Sequence, residues 1–270
     1  LIKKVAVLGA GVMGAQIAAH LANTNVEVIL FDLPAKDGDK NGIVLKSIAG
    51  LQKLEPTPFS IKAKAADIVA ANYETDLNKL KDCDLIIEAM SERLDWKADL
   101  YAKVGPFVSP QAIFATNTSG LSLKALNEHL PQHLKKNFCG VHFFNPPRYM
   151  ALVEVIPGPA TEVSVLRHLE VFLTTTLGKS VVQAKDTPNF IANRIGVFSM
   201  LATVHHASKF NLSCDVVDAL TGPLIGRAKS ATFRTADVVG LDTFAHVVKT
   251  MSDTLPDDAW RSIFCLPDWV

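Results

Sequence analysis

The sequence predicts an α/β protein: a doubly wound, mostly parallel sheet with helices on both faces, followed by an all-helical second domain. Three observations carry this. Short apolar, β-branched runs alternate with helically spaced stretches through the first 186 residues. A Gly-x-Gly-x-x-Gly turn separates the first run from the first helix. After Asp186-Thr187-Pro188 no convincing strand pattern returns, so the division is drawn at 1–186 and 187–270.

Val5 to Leu8 reads as a strand buried on both faces, followed by Gly9-Ala10-Gly11 and by helical spacing from Met13 to Ala22 (Ile17, Ala18, Leu21). Val26 to Phe31 is the second buried strand, closed by Asp32. Strand, glycine turn, helix and strand within about thirty residues make a βαβ unit with parallel strands. Further strands are expected at Leu85–Ile87, Ile113–Ala115, Cys139–Phe143, Leu152–Ile156 and Ser180–Gln183, with helices at Trp96–Val108 and Val163–Thr175. Between Pro34 and Asn72 the pattern offers only a helix over Ile43–Leu54, interrupted by Glu55-Pro56-Thr57-Pro58. In the second domain Phe190–Phe210, Cys214–Leu220 and Leu241–Met251 read as helices, broken at Gly222-Pro223 and Gly240.

Composition narrows the function. The 27 basic and 27 acidic side chains cancel, so no basic field invites nucleic acid. No apolar run reaches the roughly 18 residues of a membrane span. Cys83, Cys139, Cys214 and Cys265 are scattered, without a Cys-x-x-Cys pair, and read as free thiols in a reducing, cytoplasmic setting. No histidine cluster has metal-ligand spacing. Leu1 in place of Met and the closing Leu266-Pro267-Asp268-Trp269-Val270 point to a fragment of something longer.

The turn Gly9-x-Gly11-x-x-Gly14 follows a strand and opens a helix, the context in which this pattern binds a dinucleotide. The first glycine permits the turn, the second lets backbone approach a pyrophosphate, and the third lets helix and strand pack closely. The helix start at Val12 and Met13 offers N–H groups and partial positive charge to phosphates. Asp32, eighteen residues past Gly14, can accept hydrogen bonds from both adenosine ribose hydroxyls and would repel a 2′-phosphate, so NAD is expected over NADP. An unliganded turn, or FAD, is the alternative.

His142 and Glu154 flank the run His-Phe-Phe-Asn-Pro and its sequel, at the carboxyl end of an expected strand. An imidazole charge-balanced by a carboxylate is a general base for neutral pH. Beside a hydride acceptor it would take an alcohol proton; the bland alternative is a core histidine and a strand-end glutamate. Ser119, after the strand Ile113–Ala115, would hydrogen-bond a substrate oxygen or merely serve a turn. Asn193, one turn into the first helix of the second domain, matters only if it faces the site.

These segments together resemble the 3-hydroxyacyl-CoA dehydrogenase family over most of the chain. They are Val7-Leu8-Gly9-Ala10-Gly11-Val12-Met13-Gly14, Ile87-Glu88-Ala89, Asn117-Thr118-Ser119, His142-Phe143-Phe144-Asn145-Pro146, Val153-Glu154-Val155, Asp186-Thr187-Pro188-x-Phe190-Ile191-x-Asn193-Arg194 and Asp237-x-x-Gly240-Leu241-Asp242. The resemblance implies a Rossmann-type first domain and reversible, NAD-dependent oxidation of (S)-3-hydroxyacyl-CoA to 3-oxoacyl-CoA in fatty-acid β-oxidation. It makes His142 the base and Glu154 its partner, with Ser119 and Asn193 on the substrate. It places Glu92, Lys97 and Asn145 against NAD, and makes the helical domain a dimer contact.

Gly120 and Pro147-Arg148 look more like bacterial members fused to an enoyl-CoA hydratase, with that domain expected C-terminal to this chain. The family's closing Gly-x-Gly-Phe-Tyr is absent, so the helical domain is expected to be incomplete. The segment Pro34–Lys64 matches poorly, and no CoA-binding residue is assigned there. A dehydrogenase of another 3-hydroxy acid, or a non-catalytic NAD-binding module, is the competing expectation.

Overall fold

The computed structural model of the chain describes residues 1–269, apart from the side chain of Thr243. The chain divides into two compact units, Leu1–Asp186 and Thr187–Val270.

The first unit is built on an eight-stranded sheet: β1 (Lys4–Leu8), β2 (Glu27–Asp32), β3 (Ile68–Asn72), β4 (Leu85–Glu88), β5 (Ile113–Thr116), β6 (Phe138–Phe143), β7 (Leu152–Pro157) and β8 (Ser180–Gln183). Their spatial order is β3-β2-β1-β4-β5-β6-β7-β8. Strands β1 to β6 are parallel; β7 runs antiparallel to β6, and β8 parallel to β7. The chain winds outward from β1 to β3 and then starts again at β4 on the other side of β1. That reversal leaves a crevice beyond the carboxyl ends of β1 and β4, where such sheets bind ligands.

Burial explains the apolar runs. Val5, Val7, Leu8, Leu30, Phe31, Leu85, Ile86 and Ile87 are all fully enclosed, as a sheet covered on both faces requires. Helix α1 (Val12–Asn23) is small and alanine-rich, which lets it lie close on the sheet with Gly14 through Ala22 buried. Around the sheet run α2 (Gly42–Leu51), α3 (Leu94–Val104), α4 (Leu123–Glu128) and α5 (Val163–Thr175).

Two corrections fall in this unit. The unassigned stretch before Asn72 contains β3, an edge strand whose outer residue Val69 is 48% exposed. Its apolar run Ile68–Ala71 is short and half alanine, a residue depleted in strands, so it carries a weaker strand signal than the Val/Ile/Leu-rich interior strands. The expected helix Trp96–Val108 begins two residues earlier and its α form stops at Val104, where Gly105-Pro106 turns it into a short 3₁₀ segment.

Among the described residues the second unit has no strand; it holds α6 (Ala192–Lys209), α7 (Cys214–Thr221), α8 (Phe233–Val239) and α9 (Leu241–Thr254). Leu201, Phe244, Val248, Met251 and Phe264 make its core. The Asp218 carboxylate accepts the amides of Thr232, Phe233 and Arg234 at 2.7–3.1 Å and so fixes the start of α8, a short helix the sequence pattern had not announced.

Candidate active site

The glycine turn comes first. Gly9 has φ +107°, and a Cβ there would lie 2.9 Å from the Ala89 carbonyl oxygen; one on Gly14 would lie 1.9 Å from the Gly9 carbonyl oxygen. Both positions are closed to any side chain by the protein itself. Gly11 is different: a Cβ there meets nothing within 4 Å. The fold does not demand glycine at that place, whereas a phosphate approaching the backbone would. Gly11 also caps α1 with extended backbone, without a side-chain cap and without an acidic residue in the first turn. The helix therefore presents the amides of Val12 and Met13 and its positive end outward, the arrangement an anion needs.

Asp32 ends β2 beside this turn. Its Oδ2 accepts the Ala10 amide at 2.6 Å and its Oδ1 the Leu33 amide at 2.7 Å. A cavity of about 460 Å³ opens here, lined by Gly9, Gly11, Asp32, Tyr73, Trp96 and Lys103 among others. Tyr73 is buried in its wall, stacked on Phe31 at 5.9 Å, and its hydroxyl has no hydrogen-bond partner among the described residues. Burial, followed by the nearby Asp32 and Glu88 carboxylates, holds that phenol well above its ordinary pKa, so it stays a neutral donor. Open space at Gly11, an uncapped helix start, a strand-end carboxylate and an orphaned buried hydroxyl together fit an adenosine pyrophosphate.

The second half lies further along the same sheet edge. His142 and Glu154 are register partners in the antiparallel pairing of β6 and β7. Their side chains leave the same face, and His142 Nδ1 lies 2.8 Å from Glu154 Oε2. Both are enclosed, at 3% and 1% exposure, and the imidazole packs edge-on against Phe144 at 4.5 Å. With the carboxylate anionic, Nδ1 carries the proton and Nε2 the lone pair. Asn117 Oδ1 accepts the Phe143 amide at 2.9 Å and ties the end of β5 to the strand that carries His142. His142 is not in the wall of the 460 Å³ cavity. The two halves are joined instead by Gln16, on α1, which donates to Asn145 Oδ1 at 3.2 Å.

The remaining expected residues fall as follows. Ser119 is half-buried in the turn after β5. Glu92 Oε1 accepts the amides of Ser119 at 2.7 Å and Gly120 at 2.8 Å, and the Thr118 hydroxyl at 2.5 Å. Lys97, expected against NAD, is instead fully enclosed, with Nζ 2.5 Å from Glu88 Oε1. Asn193 stands half-buried in the first turn of α6, in the second unit.

Sequence reasoning missed Glu88 as a site component. Its carboxylate also accepts the Met90 amide at 2.8 Å, the Tyr101 hydroxyl at 3.0 Å and the Thr116 hydroxyl at 2.7 Å. A carboxylate closing the apolar run Leu85–Ile87 was the available signal. Tyr73 and Gln16 had none, since their meaning depends on contacts distant in sequence. Among the described residues no cluster of His, Cys, Asp and Glu could hold a metal ion, and no helix is long and apolar enough to cross a membrane.

A family model described as 3-hydroxyacyl-CoA dehydrogenase, NAD binding domain, matches residues 4–187, and one described as 3-hydroxyacyl-CoA dehydrogenase, C-terminal domain, matches residues 190–270. A probable 3-hydroxyacyl-CoA dehydrogenase of Deinococcus radiodurans is 45% identical over 95% of this chain and 75% of its own length. A probable 3-hydroxyacyl-CoA dehydrogenase of Bacillus subtilis is 43% identical over 100% of this chain, which spans only 36% of that relative. Among solved structures, the (S)-3-hydroxybutyryl-CoA dehydrogenase of Ralstonia eutropha superposes with a TM-score of 0.79 at 28% identity, covering 95% of this chain and 89% of that one.

Proposed function

We propose that this chain, which belongs to the 3-hydroxyacyl-CoA dehydrogenase family, oxidises the 3-hydroxyl of an (S)-3-hydroxyacyl-CoA to the 3-oxo compound with NAD, reversibly. The observation that carries the reading is the cross-strand pair His142–Glu154 on the same sheet edge as the glycine turn. Bound NAD would supply the hydride acceptor, held by the Gly9–Gly14 turn, the start of α1 and Asp32. The chain's own part is the proton. His142 Nε2 takes it from the substrate hydroxyl while Glu154 stabilises the imidazolium that forms. Ser119 hydrogen-bonds the oxygen at the reacting carbon, Asn193 keeps the substrate-binding role that the family resemblance gives it, and Asn145, through Gln16, sets the loop after β6 against α1. Burial of His142 and Glu154 keeps water from screening their attraction.

The test is direct. The wild-type chain is offered (S)-3-hydroxyacyl-CoA and free 3-hydroxy acids with NAD, and NADH formation is followed. We expect turnover of the thioester, loss of turnover in His142→Gln, and NAD affinity little changed by that substitution. Turnover of free acids only would point to a dehydrogenase of another 3-hydroxy acid. Retained turnover in His142→Gln would remove the base from the scheme.

The acyl-CoA reading places the protein in fatty-acid β-oxidation, in a reducing compartment such as the cytoplasm; the buried free thiols Cys83 and Cys139 support the latter. The helical unit exposes the large apolar side chains of Phe210, Leu220, Leu224, Ile225 and Val238, and we infer that it pairs with a second copy. Light scattering at several concentrations tests that pairing. The Bacillus relative, of which this chain spans 36%, is long enough to carry further domains; a fused enoyl-CoA hydratase in this protein is our own reading, which genomic sequence around the reading frame would test.

A further inference from the structure

The loop between β6 and β7 spans residues 144–151 and starts two residues after His142. It is short of donors, because Pro146 and Pro147 have no backbone N–H. The amides of Tyr149 and Met150 both go to the Pro146 carbonyl, at 3.0 Å. The carbonyls of Pro147 and Met150 take their donor from elsewhere, and Lys179 supplies it. Its Nζ donates to both, at 2.9 Å to Met150. Lys179 is itself held in place: its amide bonds the Leu173 carbonyl at 2.9 Å, and its neighbour Ser180 opens the ladder of β8 on β7. The side chain is buried, and among the described residues no carboxylate pairs with it. Burial lowers its pKa, the sign of a cation enclosed at a cost. A methionine would fill a similar space without that cost, so packing does not explain the charge. The outer side of the loop is held by the same chemistry. Arg148 donates to the carbonyls of Thr57 at 2.8 Å and Phe59 at 2.6 Å, and Asn23, at the end of α1, holds Pro58 and Ser60 of that stretch at 2.8 Å.

Between these ties the loop presents Asn145. Its Oδ1 accepts from Gln16 at 3.2 Å, and the same Gln16 amide group reaches the Val12 carbonyl at 3.1 Å, in the first turn of α1. Asn145 thus stands between His142 and the helix start that offers its amides to a pyrophosphate. A dinucleotide held there by its phosphates, with its reacting ring beside the base, must run its nicotinamide half past this residue. We propose that Lys179 is a positioning residue for the nicotinamide half of NAD: by holding the 147–150 turn it keeps Asn145, and the end of β6 that carries His142, in place for that half of the cofactor. The adenosine half, at the Gly9–Gly14 turn and Asp32, does not depend on it. The inference rests on His142 being the base, as proposed above.

Binding separates the two halves of the cofactor without any turnover. Lys179→Met keeps the length of the side chain and removes its donors. We expect the NAD dissociation constant to rise about fivefold or more, the scale of one lost hydrogen bond, while that of ADP-ribose, which lacks the nicotinamide, changes less than about twofold. The kcat/KM for acyl-CoA should fall at least about tenfold, since a misplaced cofactor ring reacts slowly. In an Asn145→Ala background the same substitution should change NAD affinity less than about twofold, because the residue it positions is gone. NAD and ADP-ribose weakened alike would overturn the proposal in favour of general damage to the cofactor site. Unchanged affinity for both, with a lower melting temperature, would make Lys179 a stability residue only. Amide exchange gives a further readout: Tyr149 and Met150 should lose protection in Lys179→Met while β1 and β4 keep theirs, and unchanged exchange at both amides would sink the positioning role. A selective loss of NAD binding in a chain whose wild type does not turn over acyl-CoA would leave the positioning role standing and fault the activity instead. Should Lys179→Met not fold, Lys179→Gln, which keeps an amide donor on a shorter arm, carries the same measurements.

Discussion

His142 and Glu154 stand directly opposite one another across β6 and β7, and this register, not their spacing along the chain, is what brings imidazole and carboxylate to 2.8 Å. Opposed residues of an antiparallel pair share a face with Cβ atoms about 5 Å apart. A slip of one residue would send Glu154 to the other face of the sheet. The antiparallel turn of β7 is thus the feature that builds the acid–base pair.

From that pairing, Glu154→Gln should lower kcat by about a hundredfold or more, the scale of a general-base contribution, and alter the pH dependence of the rate because the imidazolium loses its counter-charge. NAD affinity should hold. A variant with wild-type kcat and an unchanged pH profile would show that the carboxylate only packs.

The glycine turn gives a contrast between two single substitutions. Gly14→Ala drives a methyl into the Gly9 carbonyl oxygen and should destabilise the fold by roughly 1–3 kcal/mol or more, as overpacking does. Gly11→Ala meets open space, so the apo protein should melt within a few degrees of wild type while NAD binding weakens severely. Thermal melts and NAD titration of both variants check this. Equal damage to folding in both, or unimpaired NAD binding in Gly11→Ala, would contradict the assignment of the turn.

His20 makes stability depend on pH. Burial, then the positive charge of Lys179, lowers its pKa from 6.5 to about 4, while its bond to the Leu177 carbonyl works the other way. In the unfolded chain it takes up a proton below its ordinary pKa; in the fold it resists until about pH 4. Its neutral state therefore supports the fold fully above pH 6.5, and that support, on the order of 3 kcal/mol, is lost as pH falls towards 4. Denaturant melts across that window should show a shallower loss in His20→Gln. Parallel curves for the two proteins would refute the claim.

The thiols divide by burial. Burial pushes the Cys139 thiol up to about 12 and, chiefly, that of Cys83 up to about 11, whereas Cys214 and Cys265 are exposed. A thiolate-selective reagent at neutral pH should label Cys214 and Cys265 in the native protein and reach the other two only on unfolding. Mass spectrometry of native digests reads the outcome. Fast labelling of Cys139 would mean that β6 opens readily.

Much of this was legible beforehand. Strands β1, β2, β4, β5 and β6 showed as apolar runs because a covered sheet demands apolar residues on both faces. Helix α5 follows its predicted span, Val163–Thr175, since its apolar stripe is uninterrupted. Strand β3 stayed hidden, since two of its four apolar residues are alanines, which favour strands little. In the site, the glycine turn, Asp32, His142 and Glu154 were visible as local motifs. The Glu88 hub, the grip of Glu92 on Ser119 and the Gln16–Asn145 link join residues far apart in sequence, and only folding reveals such partners.

Asp32 does double duty, because the oxygen that grips the Ala10 amide belongs to the group that would discriminate between cofactors. Engineering this enzyme towards NADP by exchanging Asp32 for a neutral or basic residue would therefore unpin the phosphate loop as well as remove the repulsion. Affinity for either nucleotide should drop unless a replacement acceptor for that amide is installed alongside.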